Sequence, residues 1–91
     1  MVRPKKCRRI RFKGDFHYFK PRAVPMSELE EVELDVSEFE ALRLKDFKNL
    51  EQSEAAKKME VSQPTFHRIL IDARKKVADA IVNGKAIKIK E

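Results

Sequence analysis

The side chains best suited to recognition chemistry fall together in residues 52–70, QSEAAKKMEVSQPTFHRIL. Gln63 carries an amide that can donate to and accept from adenine, and Arg68 can fork onto guanine or clamp a phosphate. Thr65 can serve a base edge or the backbone, and His67 could contact a base edge or a phosphate. Ser62 stands where a helix N-terminus would attract phosphate. Other chemistries fit the chain poorly. Cys7, His17 and His67 are too far apart in sequence for a structural metal site. The carboxylates of residues 28–40 have no histidine or nucleophile beside them, and Gly14 and Gly84 cannot make a phosphate loop. The reading is a binding protein with no metal, no cofactor and no enzymatic activity.

Those side chains need a helix to present them and a second helix to hold it. A helix-turn-helix requires a small residue where the helices cross, a tight turn, an apolar residue closing it and an apolar pair in the second helix. Ala56, Val61, Phe66 and Ile69 supply this motif core, with the turn over residues 59–62. The first helix is expected over residues 52–59, with Ala55, Ala56 and Met59 inward. Ser62 is an N-cap type, and Pro64 sits in a first turn, where its missing N–H costs little. Phe66, Ile69, Leu70, Ala73, Val77, Ala80 and Ile81 mark one stripe of a long second helix, which Asn83 and Gly84 should stop. Gln63, Thr65, His67 and Arg68 would then reach base edges, while Ser62, Lys57, Lys58, Arg74, Lys75 and also Lys76 would meet the DNA backbone.

Charge divides the rest of the chain. Residues 1–25 carry nine Lys or Arg and one acid, residues 26–50 three basic and eight acidic groups, and residues 51–91 nine basic and six acidic. The first block reads as a basic arm, in which Lys5, Lys6, Arg8 and Arg9 could follow the phosphate backbone. Within it residues 9–12 alternate charge with bulk, as a short strand would. Residues 27–34 suggest a helical turn or two, with Ser27 as a cap. Ser37 and Glu40 have capping-box spacing, and Phe39, Leu42, Leu44 and Phe47 predict a helix over about residues 38–46, ending near Asn49. The tail, residues 85–90, alternates again: it is either a strand paired with residues 9–12 or a frayed end.

The fold class is therefore mainly α: a small helix-turn-helix domain (26–84) between a basic N-terminal arm (1–25) and a basic tail (85–91), with short terminal strands. The 91 residues fit one domain, and 42% hydrophobic with 40% charged residues suits a small helical module. The net charge of +6 favours a polyanionic partner. With Cys7 the single cysteine, no internal disulfide can form, and no apolar run reaches about 18 residues, so the cytoplasm is expected and a membrane is not.

Double-stranded DNA is the expected partner. Two alternatives stay open. The acidic side chains Glu28, Glu30, Glu31, Glu33, Glu38 and Glu40 could face a basic protein such as RNA polymerase or a second regulator, and Val77, Ala80 and Ile81 could seal a homodimer. RNA would use Phe12, Phe16, Tyr18 and Phe19 in their basic setting.

Over almost its whole length the sequence also resembles a small prokaryotic family known as domain of unknown function 134. The runs that carry the resemblance are FKP at residues 19–21, SELEEVEL at 27–34, EALRLKD at 40–46, EAA and VSQPTFHRIL around the turn, and ARKKVADAIVNGKAI at 73–87. The resemblance implies a helix-turn-helix akin to the promoter-reading fourth region of sigma factors, and a role in transcription regulation. Relatives usually place glycine in the turn where this chain has Glu60, so either residue 60 is left-handed and stores about 1 kcal/mol of strain, or the turn follows a slightly different path. Some relatives also carry a downstream cysteine-rich or cofactor-binding domain; none is expected here, so that any sensing input would come from a partner or be absent.

Overall fold

The computed structural model describes residues 18–21 and 30–90. In chain order these form strand β1 (Tyr18–Phe19), strand β2 (Glu31–Asp35), helix α1 (Val36–Ala41), a π-helical segment (Leu42–Phe47), helix α2 (Gln52–Met59), helix α3 (Gln63–Asn83) and strand β3 (Ala86–Lys90). The sheet has the order β1-β3-β2. β3 is central, antiparallel to β1 with Tyr18 opposite Lys88, and parallel to β2 with Glu33 opposite Lys88. The fold is mainly α, as expected, and the tail is a paired strand.

One expectation is corrected here. Residues 31–35 form a strand, not helical turns, because acid and apolar residues alternate with a period of two and β3 lies alongside to pair with them. Val32 and Leu34 are buried while Glu31, Glu33 and Asp35 are exposed. The strand partner proposed for the tail, residues 9–12, lies outside the described residues, as does Ser27; among the described residues β3 pairs with β1 and β2.

The capping box stands two residues earlier than expected. The Glu38 N–H donates to Asp35 Oδ1 at 2.9 Å, and the Asp35 N–H donates to Glu38 Oε1 at 3.0 Å. Asp35 and Ser37 both have an acid three residues on, and the end of β2 chooses between them: Asp35 keeps the extended backbone a cap needs, whereas Ser37 is buried inside α1. The helix expected over residues 38–46 is present, but its second half widens to π winding, with the Lys48 N–H donating to the Arg43 carbonyl at 2.8 Å. Wider winding turns Leu44 into the core and leaves Phe47, expected on the inward stripe, 80% exposed. Asn49, at φ 62°, ends the segment in the left-handed conformation that asparagine tolerates.

The main core lies between α1, the π segment, α2 and the first half of α3. Ala41, Leu44, Ala55, Ala56, Met59, Phe66 and Leu70 fill it, with Leu42, Leu50, Val61 and Ile69 at its margin. Alanines at 55 and 56 let α2 approach α3 closely enough for Phe66 and Met59 to be fully buried. Val32, Leu34, Ala73, Ala80, Ala86 and Ile89 complete the interior toward the sheet. Ile81, assigned to the inward stripe of α3, is 75% exposed, because it lies about 100° round the helix from the buried Ala80. Among the described residues no helix is long and apolar enough to cross a membrane.

Candidate nucleic-acid interface

The turn between α2 and α3 sets the position of every candidate contact. Glu60 adopts φ 61° and ψ 43°, a left-handed conformation. Its N–H donates to the Lys57 carbonyl at 3.0 Å, and the Val61 N–H donates to the Ala56 carbonyl at 3.1 Å. This pair of bonds is a Schellman closure, which satisfies carbonyls that the helix end would leave open. Val61 then packs on the core beside Ala55 and Ala56. The strain expected of a non-glycine residue at position 60 is present.

α3 starts from Ser62, whose backbone is extended. The Ser62 hydroxyl accepts from the Thr65 N–H at 3.3 Å and donates to Thr65 Oγ1 at 3.0 Å, and the Phe66 N–H donates to the Ser62 carbonyl at 2.9 Å. Pro64 occupies the first turn. Phe66, Leu70 and Ala73 hold the inner face, so that the outer face follows by helical spacing: Gln63, His67, Ile71 and Lys75 in one row, Pro64, Arg68 and Asp72 beside it, all exposed. Thr65 is half-buried and bonded to Ser62, so of the four residues assigned to bases it is the least available.

Ile71 and Asp72 were not singled out from the sequence. Their spacing of four from His67 and Arg68 puts them on the presented face, and Asp72 is the carboxylate there that a polyanion would meet.

The cations divide into two sets. Among the described residues Lys57, Lys58, Arg68 and Lys75 are exposed and take part in no ion pair. Arg74, assigned to the DNA backbone on sequence grounds, is instead gripped by Asp46: Nε reaches Oδ2 at 3.0 Å and Nη2 reaches Oδ1 at 2.6 Å. That grip holds the Asp46 carboxyl below its ordinary range. Lys76 bonds Glu38 at 2.9 Å. The arm residues Lys5, Lys6, Arg8 and Arg9 lie outside the described residues.

The acidic block is correspondingly less open than its composition suggested. Glu38 and Glu40 are buried, Glu38 held by Lys76 and Glu40 by two bonds of 2.9 Å from Arg43. These two cannot form the outward acidic face proposed for a protein partner. Of the other four, Glu30, Glu31 and Glu33 are exposed, and Glu28 lies outside the described residues.

An apolar groove of about 830 Å³ opens on the other side of α3, between the π segment and the sheet, lined by Leu34, Phe39, Leu42, Phe47, Val77 and Ile89. Val77 thus borders this groove, Ala80 is buried, and Ile81 stands outside. Among the described residues no group of three or more His, Cys, Asp or Glu could hold a metal ion.

No solved structure matches the chain. Among curated relatives it is 61% identical over 89 residues to a UPF0251 protein of Moorella thermoacetica, covering 98% of this chain and 60% of the relative. It is 56% identical to one from Pelotomaculum thermopropionicum, again over 98% of this chain and 67% of the relative. A third, from Thermoanaerobacter pseudethanolicus, is 58% identical over 98% of this chain and 75% of the relative. The chain thus spans 60% to 75% of the length of these three relatives. With the family's pattern matching residues 1–91 from end to end, the chain belongs to the family described as protein of unknown function DUF134.

Proposed function

We propose that the chain is a sequence-specific duplex DNA-binding protein and a transcription regulator, with α2 and α3 acting as a helix-turn-helix and the start of α3 entering the major groove. The observation that carries this reading is the exposed face of α3 with its unpaired neighbours: Gln63, His67 and Arg68 stand clear at the helix start, flanked by Lys57, Lys58 and Lys75 with no carboxylate partner among the described residues. Gln63 and Arg68 read base edges; Ser62, Lys57, Lys58 and Lys75 follow phosphates. Arg74 joins the phosphate contacts by leaving Asp46, and Thr65 adjusts Ser62 more than it reads a base.

Selection of the purified protein on a randomised duplex library, at fixed salt and with a single-stranded RNA pool alongside, tests the reading. A duplex motif is expected, and Gln63→Ala with Arg68→Ala should flatten it by about 1–3 kcal/mol of discrimination per contact while leaving thermal stability unchanged. No enrichment, or a motif untouched by the double change, overturns the assignment. RNA enrichment favours the RNA reading instead.

A second reading, an interaction module working beside the transcription machinery, has one observation of its own. The apolar groove beside the exposed Phe47 is the kind of surface that partner proteins cover.

A further inference from the structure

The packing of α3 makes no use of Ile71. Counting about 100° per residue, this side chain lies roughly 160° round the helix from Ala73 and 180° from Ala80, both of which are buried. It is 41% exposed, and among the described residues it belongs neither to the main core nor to the lining of the apolar groove. A β-branched residue is also a weaker helix former than the alanines and lysines around it. Neither packing nor local propensity accounts for an isoleucine here.

Its neighbours are the residues proposed to meet DNA. Ile71 continues the row that begins with Gln63 and His67, Lys75 follows it, and Arg68 and Asp72 stand beside it. At about 1.5 Å of rise per residue it stands roughly 12 Å beyond Gln63 along the axis, about three to four base-pair steps at roughly 3.4 Å each. That distance is within the stretch of groove a recognition helix spans. Asp72, the next residue, would repel a phosphate, so this turn of the helix suits base edges better than backbone. An apolar side chain has one matching partner there: of the four bases, thymine alone presents a methyl group in the major groove.

We infer that Ile71, in the third turn of α3, reads a thymine through its 5-methyl group. The inference rests on the reading of α3 as a recognition helix and adds a specificity-determining residue to it. Packing isoleucine on the methyl group removes apolar surface from water and leaves no polar atom of the side chain unpaired. The same contact separates DNA from RNA, because uracil lacks the methyl group. Val82 faces the same way and is 79% exposed, but it lies about 28 Å beyond Gln63, past the part of the helix that enters the groove.

Fluorescence anisotropy at fixed salt, on the duplex motif that selection returns, tests the contact with deoxyuridine replacing each thymine in turn. One replacement should weaken wild-type binding about three- to fivefold, the worth of one buried methyl group. Ile71→Ser should bind the thymine duplex more weakly and be indifferent to that same replacement, with unchanged circular dichroism because the side chain lies outside the core. Ile71→Ala, a stronger helix former whose side chain stops two carbons short, should lose the preference likewise and decides the matter should Ile71→Ser fold poorly. Val82→Ser should keep the affinity and the preference of the wild type. A motif without a required thymine, a wild type that tolerates deoxyuridine everywhere, or a preference that survives in both Ile71 variants would overturn this inference alone and leave the DNA-binding reading standing. So would a Val82→Ser chain as weak as Ile71→Ser, which would assign the apolar row to a second copy of the chain. Selection of no duplex motif at all would overturn both.

Discussion

The presented and packed faces of α3 handle charge in opposite ways. Arg74, Lys75 and Lys76 are consecutive, yet Arg74 is clamped by Asp46 and Lys76 by Glu38, while Lys75 stands free among the described residues. A helix turns about 100° per residue, so neighbouring side chains meet different surroundings. The packed side faces the acidic α1 and π segment and is neutralised there. The presented side, with Lys75, Arg68 and His67, keeps its charge. The fold thus commits Glu38, Glu40 and Asp46 to ion pairs and leaves excess positive charge beside the turn.

The comparison breaks most completely if the scaffold fails. Phe66 is fully buried directly behind His67, and Phe66→Ala should cost about 3–5 kcal/mol, enough to unfold much of a small domain, as a denaturant titration would reveal. Loss of both faces together is expected, in contrast to the surface changes above. Stability that barely moved would mean that Phe66 is not the packing centre.

On the packed side Arg43→Ala leaves the buried Glu40 without its partner. The expected loss is about 3 kcal/mol, measured as a fall in the denaturant midpoint without a change of slope. A near-neutral result would mean that Glu40 finds water or another donor, and that the packed acids are less committed than their geometry implies.

At the junction of the two faces, Glu60→Gly removes left-handed strain and should stabilise by up to about 1 kcal/mol, read from thermal unfolding. Clear destabilisation would show that the Glu60 side chain contributes more than its backbone conformation costs.

The smallest effect comes from acid. Asp46 is held below its ordinary value by Arg74, so its contribution is present above the unfolded carboxylate pKa of about 3.9 and is lost as pH falls through the lower folded value. Both groups are more than a third exposed, and Asp46→Asn should therefore cost less than about 1 kcal/mol at neutral pH. A carboxylate titration by NMR that found Asp46 at its ordinary value would dissolve the pair and return Arg74 to the free set.

The local rules of helices were legible in the sequence. The Ser62 cap, the early Pro64, the stop at Gly84 and the inward alanines of α2 all depend on chemistry within a few positions, and all are present; of the two paths open to the turn at Glu60, the structure takes the left-handed one. Where two frames satisfied the same local rule, as at Asp35 and Ser37, only the end of the neighbouring strand could choose. The π winding was not legible because no residue type marks it, and it moved Phe47 from core to solvent.

The candidate site divides in the same way. Residue types and spacing placed Gln63, His67 and Arg68 on an exposed helix start, since periodicity alone fixes which side faces outward once Phe66 and Leu70 are inside. That Arg74 is paired and Lys75 is not depends on Asp46, 28 residues away. The sequence by itself determined helices α2 and α3, the Ser62 cap and the turn between them, because those follow from contacts within about one helical turn. Tertiary structure alone decided the strand partners of the tail and which charges survive at the surface, because both depend on groups far apart in the chain that only folding brings together.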